Sequence, residues 1–198
     1  MATHPATAKP LISLFTRHAQ GVGAQVTAVA GEREAATVIR ALVNGEVRCT
    51  EAVRIGYPEL YQALGDAGHA VTVAEDAAEE SPDRASLAAT LAGGSGLILA
   101  RAAVAETGSL VLADDTLAPR LLGMLADGCI ALLAAEAILP TLDDAGELLA
   151  RLEREGHRYV SLVTGPSRTA DIERVLTIGV QGPKALHIVI LQPGSPVP

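Results

Sequence analysis

The sequence predicts an α/β protein built as a three-layer, mainly parallel sheet. Three observations predict it. Apolar runs of strand length alternate with segments of helical period almost to the end of the chain, the pattern of parallel strands joined by crossover helices. Hydrophobic residues make up 49% of the chain, yet there is no Trp, one Phe and three Tyr. An interior of Ala, Leu, Val and Ile suits helices packed on a buried sheet. The 198 residues lie in the usual range for one domain, and with no internal repeat or second domain in evidence, 1–198 reads as a single unit ending in a tail at 192–198.

Taken in order, an amphipathic stretch covers Ala8 to Ala19, and Gln25 to Ala30 is a short strand. A helix follows from Glu32 to Val43, with Ala36, Ile39, Leu42 and Val43 at helical spacing. Val47 to Cys49 is a weak strand, Tyr57 to Leu64 a helix stopped by Gly65 and Gly68, and Ala70 to Val73 a strand. Glu75 to Arg84, with its dense acidic cluster and a proline, predicts an exposed connection. A short helix then ends at Gly93-Gly94. Leu97 to Ala100, Ser109 to Ala113 and Ile130 to Ala134 are buried strands. The clearest helix spans Thr141 to Glu155: Leu142, Ala145, Leu148, Leu149 and Leu152 form one stripe, acidic residues occupy the first turn, and Gly156 stops it. Tyr159 to Val163 predicts a strand, Ala170 to Ile178 a helix and Leu186 to Leu191 a last strand. Ligands on parallel sheets bind beyond the carboxyl ends of the strands, which directs attention to the segments after Ala100, Ala113, Ala134 and Val163.

Composition narrows the function classes. The net charge is −8, with 15 Lys plus Arg against 23 Asp plus Glu. Without a basic run, such a chain repels a phosphate backbone, and so few aromatics offer no base-stacking platform, so no nucleic-acid partner is expected. No apolar run reaches the ~20 residues needed to span a bilayer, and the first residues lack a basic n-region and an apolar h-region; the expectation is a cytoplasmic protein. Cys49 and Cys129 lie far apart in apolar, strand-like settings. They read as buried free thiols, with a disulfide between them the other reading, and no thiolate set for zinc or an iron–sulfur cluster exists within the chain. The five histidines are scattered without ligand spacing, so neither a metal nor another cofactor is expected. His187, in a strand, reads as a packed, hydrogen-bonded residue.

Three segments carry candidate chemistry. Thr164-Gly165-Pro166-Ser167-Arg168-Thr169-Ala170-Asp171 directly follows a strand. Gly165 permits a sharp turn, and Ser167 and Thr169 can cap a helix start. The free N–H groups of that helix and the Arg168 guanidinium make a small site for a phosphate or carboxylate, or else a well-capped helix with an exposed arginine. Ala105-Glu106-Thr107-Gly108-Ser109 is wedged between apolar runs. Its carboxylate, if desolvated, has a raised pKa suited to acid–base or nucleophilic work; alternatively Glu106 accepts backbone N–H bonds in the turn that Gly108 permits. Gly179-Val180-Gln181-Gly182-Pro183 marks a tight loop before the last strand. The patterns of a Walker loop, a nucleophile elbow and a dinucleotide fingerprint are absent.

These segments, AVAETGSLVL, TGPSRTADIE and GVQGPKALHIVIL, resemble in kind and order three motifs of the lactate-utilization (LUD) domain family. The likeness is close over Leu97 to Leu191 and general before it. It implies a fold akin to the sugar-phosphate isomerase and CoA-transferase (NagB/RpiA-like) superfamily. It also implies work beside iron–sulfur partner proteins that oxidise L-lactate to pyruvate, this chain binding a small organic anion or a partner without carrying redox centres. A stand-alone CoA-transferase-like or sugar-phosphate-binding enzyme using Glu106 is the other implied function. On either reading the candidate binding residues are Thr107, Gly108, Gly165, Ser167, Arg168, Thr169 and Asp171. Where many members of the family have His in G-V-H-G-P, this chain has Gln181, whose amide cannot titrate.

Overall fold

The last strand is aliphatic on both faces from Ile188 to Leu191, and both faces are covered there. In the computed structural model, which describes residues 5–43, 45–170, 176–178 and 182–192, that strand is central to a six-stranded, wholly parallel sheet. The order is β1 (Gln25–Val29), β12 (Ala185–Leu191), β7 (Gly128–Ala134), β4 (Ser95–Leu99), β2 (Val47–Cys49) and β3 (Val71–Val73). Because successive side chains point to opposite faces, Ile188 and Ile190 pack with Phe15, Leu91 and Leu122 on one side. That side is covered by α1 (Pro5–Gly21), α5 (Ala74–Glu80), α6 (Arg84–Leu91) and α7 (Leu117–Leu125). Val189 and Leu191 pack with Ile39, Leu60 and Leu64 on the other, under α2 (Glu32–Leu42), α3 (Glu51–Gly56) and α4 (Pro58–Asp66). The expected three-layer α/β architecture is thus present. Among the described residues no helix is long and apolar enough to cross a membrane.

A second sheet branches from the carboxyl end of β4. Its order is β8 (Ile138–Leu139), β5 (Ala102–Val104), β6 (Ser109–Ala113) and β9 (Val160–Val163). The β5–β6 and β6–β9 pairs are antiparallel. The strands at 109–113 and 160–163 therefore lie outside the parallel sheet, and the segment after Val163 is not at its carboxyl edge. The reason is local: a turn at 105–108 joins β5 to β6, and parallel neighbours need a crossover of a dozen or more residues. Ala103, Leu110 and Leu112 of this sheet join the main core, while Ala102, Val104 and Val111 pack on Ala145, Leu148 and Leu152 of α8 (Leu142–Arg154). Thr141 and Asp144 form a capping box at the start of α8, as the first-turn pattern suggests.

Three local expectations are corrected. The acidic segment 75–84 is not an open connection: α5 occupies Ala74–Glu80 and buries Ala74 and Ala77. Alanine and glutamate are strong helix formers, and two acidic residues sit favourably in the first turn. The helix expected to stop at Gly65 continues to Asp66, and Gly68, at φ 84°, turns the chain. The helix expected over 170–178 is absent at the described residues of that span, 170 and 176–178. Instead β10 (Arg168–Ala170) and β11 (Leu176–Ile178) pair antiparallel, Arg168 opposite Ile178 and Ala170 opposite Leu176. Thr169, Thr177 and Ile178 are β-branched and favour strand.

Candidate functional site

The turn between β5 and β6 is pressed against the end of α1. Gly108 adopts φ 70°, and its N–H donates to the Val104 carbonyl at 2.9 Å. A Cβ there would run into the α1 backbone at Ala19 and lie 2.6 Å from the His18 carbonyl carbon. Only glycine fits both the backbone conformation and the approach. His18 Nδ1 donates to the Ala105 carbonyl at 2.7 Å, tying the helix to the turn. Gly165, at φ 78°, meets the same part of the chain from the other side: its Cβ would lie 2.5 Å from the Val22 carbonyl oxygen.

Around this contact the motif segments converge. The buried Ser109 hydroxyl bonds Thr107 Oγ1 and Thr164 Oγ1, each at 2.7 Å. Those hydroxyls form one chain from the 105–109 turn to the segment after β9. Ser167 N–H donates to the Pro183 carbonyl at 3.0 Å, which ties the same segment to the loop before β12. The Arg168 guanidinium lies directly against Gly23. Thus Thr107, Gly108, Gly165, Ser167 and Arg168 come together. Thr169 lies in β10, and Asp171 and Gln181 lie outside the described residues. Sequence reading missed His18, which has no motif to mark it, and gave no role to the hydroxyl of Ser109.

The position of this junction departs from the expected one. Gly23 and Pro183 each lie two residues before β1 and β12, so the cluster sits at the amino ends of parallel strands. With β10 in place of a helix, the arrangement offers hydroxyls and a guanidinium, without a helix dipole.

Glu106 stands apart in its bonding. It is exposed rather than desolvated. Its Oε2 accepts the Leu142 N–H at 3.0 Å, and its own N–H donates to the Pro140 carbonyl at 3.1 Å. A carboxylate at a helix start caps free N–H groups and complements the dipole. No ion pair between Glu106 and Arg168 occurs among the described residues.

Elsewhere, burial with Glu75 nearby pushes the Asp114 carboxyl up to about 6. Cys49 and Cys129 are free, and burial pushes both thiols up to about 12, far from the thiolate form that reacts or binds metal. His187 is packed as expected: Nε2 bonds Thr27 Oγ1 at 2.9 Å, Nδ1 bonds Gln25 Oε1 at 3.1 Å, and burial lowers its pKa. No group of three or more His, Cys, Asp or Glu side chains placed to hold a metal ion occurs among the described residues.

The model of the LUD domain family matches residues 12–191. The chain belongs to the LUD domain family. This LUD chain is 33% identical over 99 residues to lactate utilization protein C 1 of Bacillus mycoides (strain KBAB4), a match covering 48% of this chain and 42% of that protein. It is 32% identical over 99 residues to the uncharacterized protein YkgG of Escherichia coli (strain K12), covering 48% and 43%. The LUD chain therefore spans less than half the length of these curated relatives in the matched stretch. The crystal structure of a DUF162 family protein from Deinococcus radiodurans is similar in fold, with a TM-score of 0.67 and 22% identity over 93% of this chain and 98% of that one.

Proposed function

We propose that this LUD chain serves lactate utilization as a component without redox centres of its own, binding a small organic anion at the junction of its motif segments and docking beside iron–sulfur partner proteins. The observation that carries this reading is the hydroxyl chain Thr107–Ser109–Thr164, together with the Ser167–Pro183 bond. These contacts assemble segments far apart in sequence into one place, where Arg168 supplies a cation suited to a carboxylate. Relatives named lactate utilization protein C support the choice of process. Electron transfer would fall to the partners, since the two thiols here are buried and separate.

The placement of Glu106 favours this reading over a stand-alone enzyme of CoA-transferase or sugar-phosphate type. The exposed Glu106 carboxylate accepts the Leu142 N–H and so holds the start of α8, the structural role open to it from the sequence. The test is co-purification: a tagged chain co-expressed with iron–sulfur proteins of a lactate-oxidising system is expected to retain them through washing at micromolar concentration. Clean separation overturns the component reading, and lactate-independent acyl or sugar-phosphate turnover lost in Glu106→Gln would establish the enzyme instead.

A further inference from the structure

The parallel sheet has a second feature, at its opposite edge. The chain leaves β2 towards β3 and leaves β4 towards β7, so the carboxyl ends of β2 and β4 flank a switch point, where open α/β sheets take ligands. A cavity of about 200 Å³ opens there. Its walls are Leu99 of β4, Leu148 and Leu152 of α8, and Tyr57 between α3 and α4, with Arg101 and Arg151 also lining it. An adjoining cleft shares Arg101, Leu148 and Arg151 and adds Glu136, just beyond β7. The volume falls below the ~300–1,000 Å³ of most ligand pockets, so the occupant is small.

Two buried polar atoms in the walls of this cavity and cleft have no hydrogen-bond partner among the described residues. Tyr57 is fully buried, and neither its hydroxyl nor Glu136 Oε2 is paired. Buried groups left unpaired are costly, so an orphaned donor beside the cavity and an orphaned acceptor in the adjoining cleft define what should bridge the two. The phenol, which burial and the neighbouring Glu136 and Glu32 hold protonated, needs an acceptor. The Glu136 carboxylate needs a donor, preferably a cation. Arg151 shares its charge with Glu155 at 3.8 Å, whereas Arg101 makes no ion pair or side-chain hydrogen bond among the described residues and is open to a carboxylate. The leucines offer an apolar wall for an aliphatic side chain.

We infer that this cavity and its adjoining cleft together form a binding site for a small aliphatic α-amino acid: its carboxylate taken by Arg101 and the Tyr57 hydroxyl, its ammonium by Glu136 at the cleft, and its side chain by Leu99, Leu148 and Leu152. A simple carboxylic acid leaves Glu136 unpaired with a second negative charge beside it. A simple amine leaves Arg101 and Tyr57 unsatisfied. The zwitterion answers all three groups at once. This site is separate from the motif junction and does not depend on the function assigned to it.

The test is calorimetric titration of the folded protein with L-leucine, with 2-hydroxy-4-methylpentanoate as the probe that replaces the ammonium by a hydroxyl. L-leucine is expected to bind, and the hydroxy acid to bind at least about tenfold more weakly. Glu136→Gln should weaken L-leucine about tenfold or more and leave the hydroxy acid little changed. Tyr57→Phe, which keeps the buried ring, should weaken both about fivefold or more. Arg168→Ala should leave L-leucine binding as it is. Absence of heat at 20 mM L-leucine (on the order of what a barely specific site needs) overturns the proposal. So does a Glu136→Gln protein that binds L-leucine as well as the parent.

Discussion

Replacing Gly108 by alanine should strike the motif junction harder than one added methyl group suggests. The added Cβ must occupy a left-handed conformation at φ 70°, unfavourable by ~1–2 kcal/mol for an L-residue. It also enters the α1 backbone at His18 and Ala19. Backbone cannot swing aside as a side chain can, so α1 must retreat. Retreat stretches the His18–Ala105 bond, a loss of ~0.5–1.5 kcal/mol, and loosens the fully buried Phe15 and Ala19 from the main core. Disturbed packing of that kind adds ~1–3 kcal/mol. A total of at least ~2.5 kcal/mol lowers Tm by about 5–10 °C or more in a domain of this size. Thermal unfolding followed by far-UV circular dichroism measures it, with Gly146→Ala as the control. Gly146 lies inside α8, and a Cβ there meets nothing within 4 Å, so alanine should stabilise by ~0.5–1 kcal/mol. A Gly108→Ala protein melting within ~2 °C of the parent would refute the claim that α1 is clamped on this turn.

Two further outcomes follow from other parts of the structure. Ser109→Ala and Thr164→Ala should each destabilise by ~1–2 kcal/mol, and their double-mutant cycle should show a coupling of ~0.5–1 kcal/mol; additive effects in urea unfolding would mean the 2.7 Å bond contributes nothing. Asp114 has its folded pKa raised to about 6 by burial, above the ~3.9 of an unfolded aspartate. Its stabilising contribution is therefore complete below pH ~4 and lost as pH rises through ~6, worth ~1–2 kcal/mol after allowance for solvent screening. Asp114→Asn should gain that amount at pH 7 and little at pH 4, and Tm–pH profiles that run parallel for the two proteins would contradict the assignment.

In the parallel sheet β4, β7 and β12 were legible as aliphatic runs, and β1, β2 and β3 as short segments in which apolar residues alternate with polar or small ones. In the second sheet β6 and β9 were legible as strands, but β5, β8 and the antiparallel pairing were not. Its strand β5 is Ala-Ala-Val, buried at all three positions, and shows no alternation to separate it from the flanking apolar residues. The α5 helix was obscured because acidic density and Pro82 suggest solvent, although Ala74, Ala77 and Ala78 supply an apolar side. The candidate residues were legible as motifs, but their meeting place was not. It depends on contacts between Ser109 and Thr164, 55 positions apart, and between His18 and Ala105, 87 apart. No local pattern records such contacts. The general rule for parallel sheets pointed to carboxyl ends, and the motif segments gather at amino ends because β6 and β9 belong to the antiparallel branch.

On the proposed function, the motif segments form one anion-binding place. Thermal unfolding of the parent protein and of Arg168→Ala, each against L-lactate, pyruvate and inorganic phosphate, tests it most directly. One of these anions is expected to stabilise the parent by up to ~2.7 kcal/mol at a hundred times its dissociation constant, an effect lost in Arg168→Ala and reduced in Ser109→Ala. Equal shifts in the parent and in Arg168→Ala, or no shift with any of the anions, would contradict it.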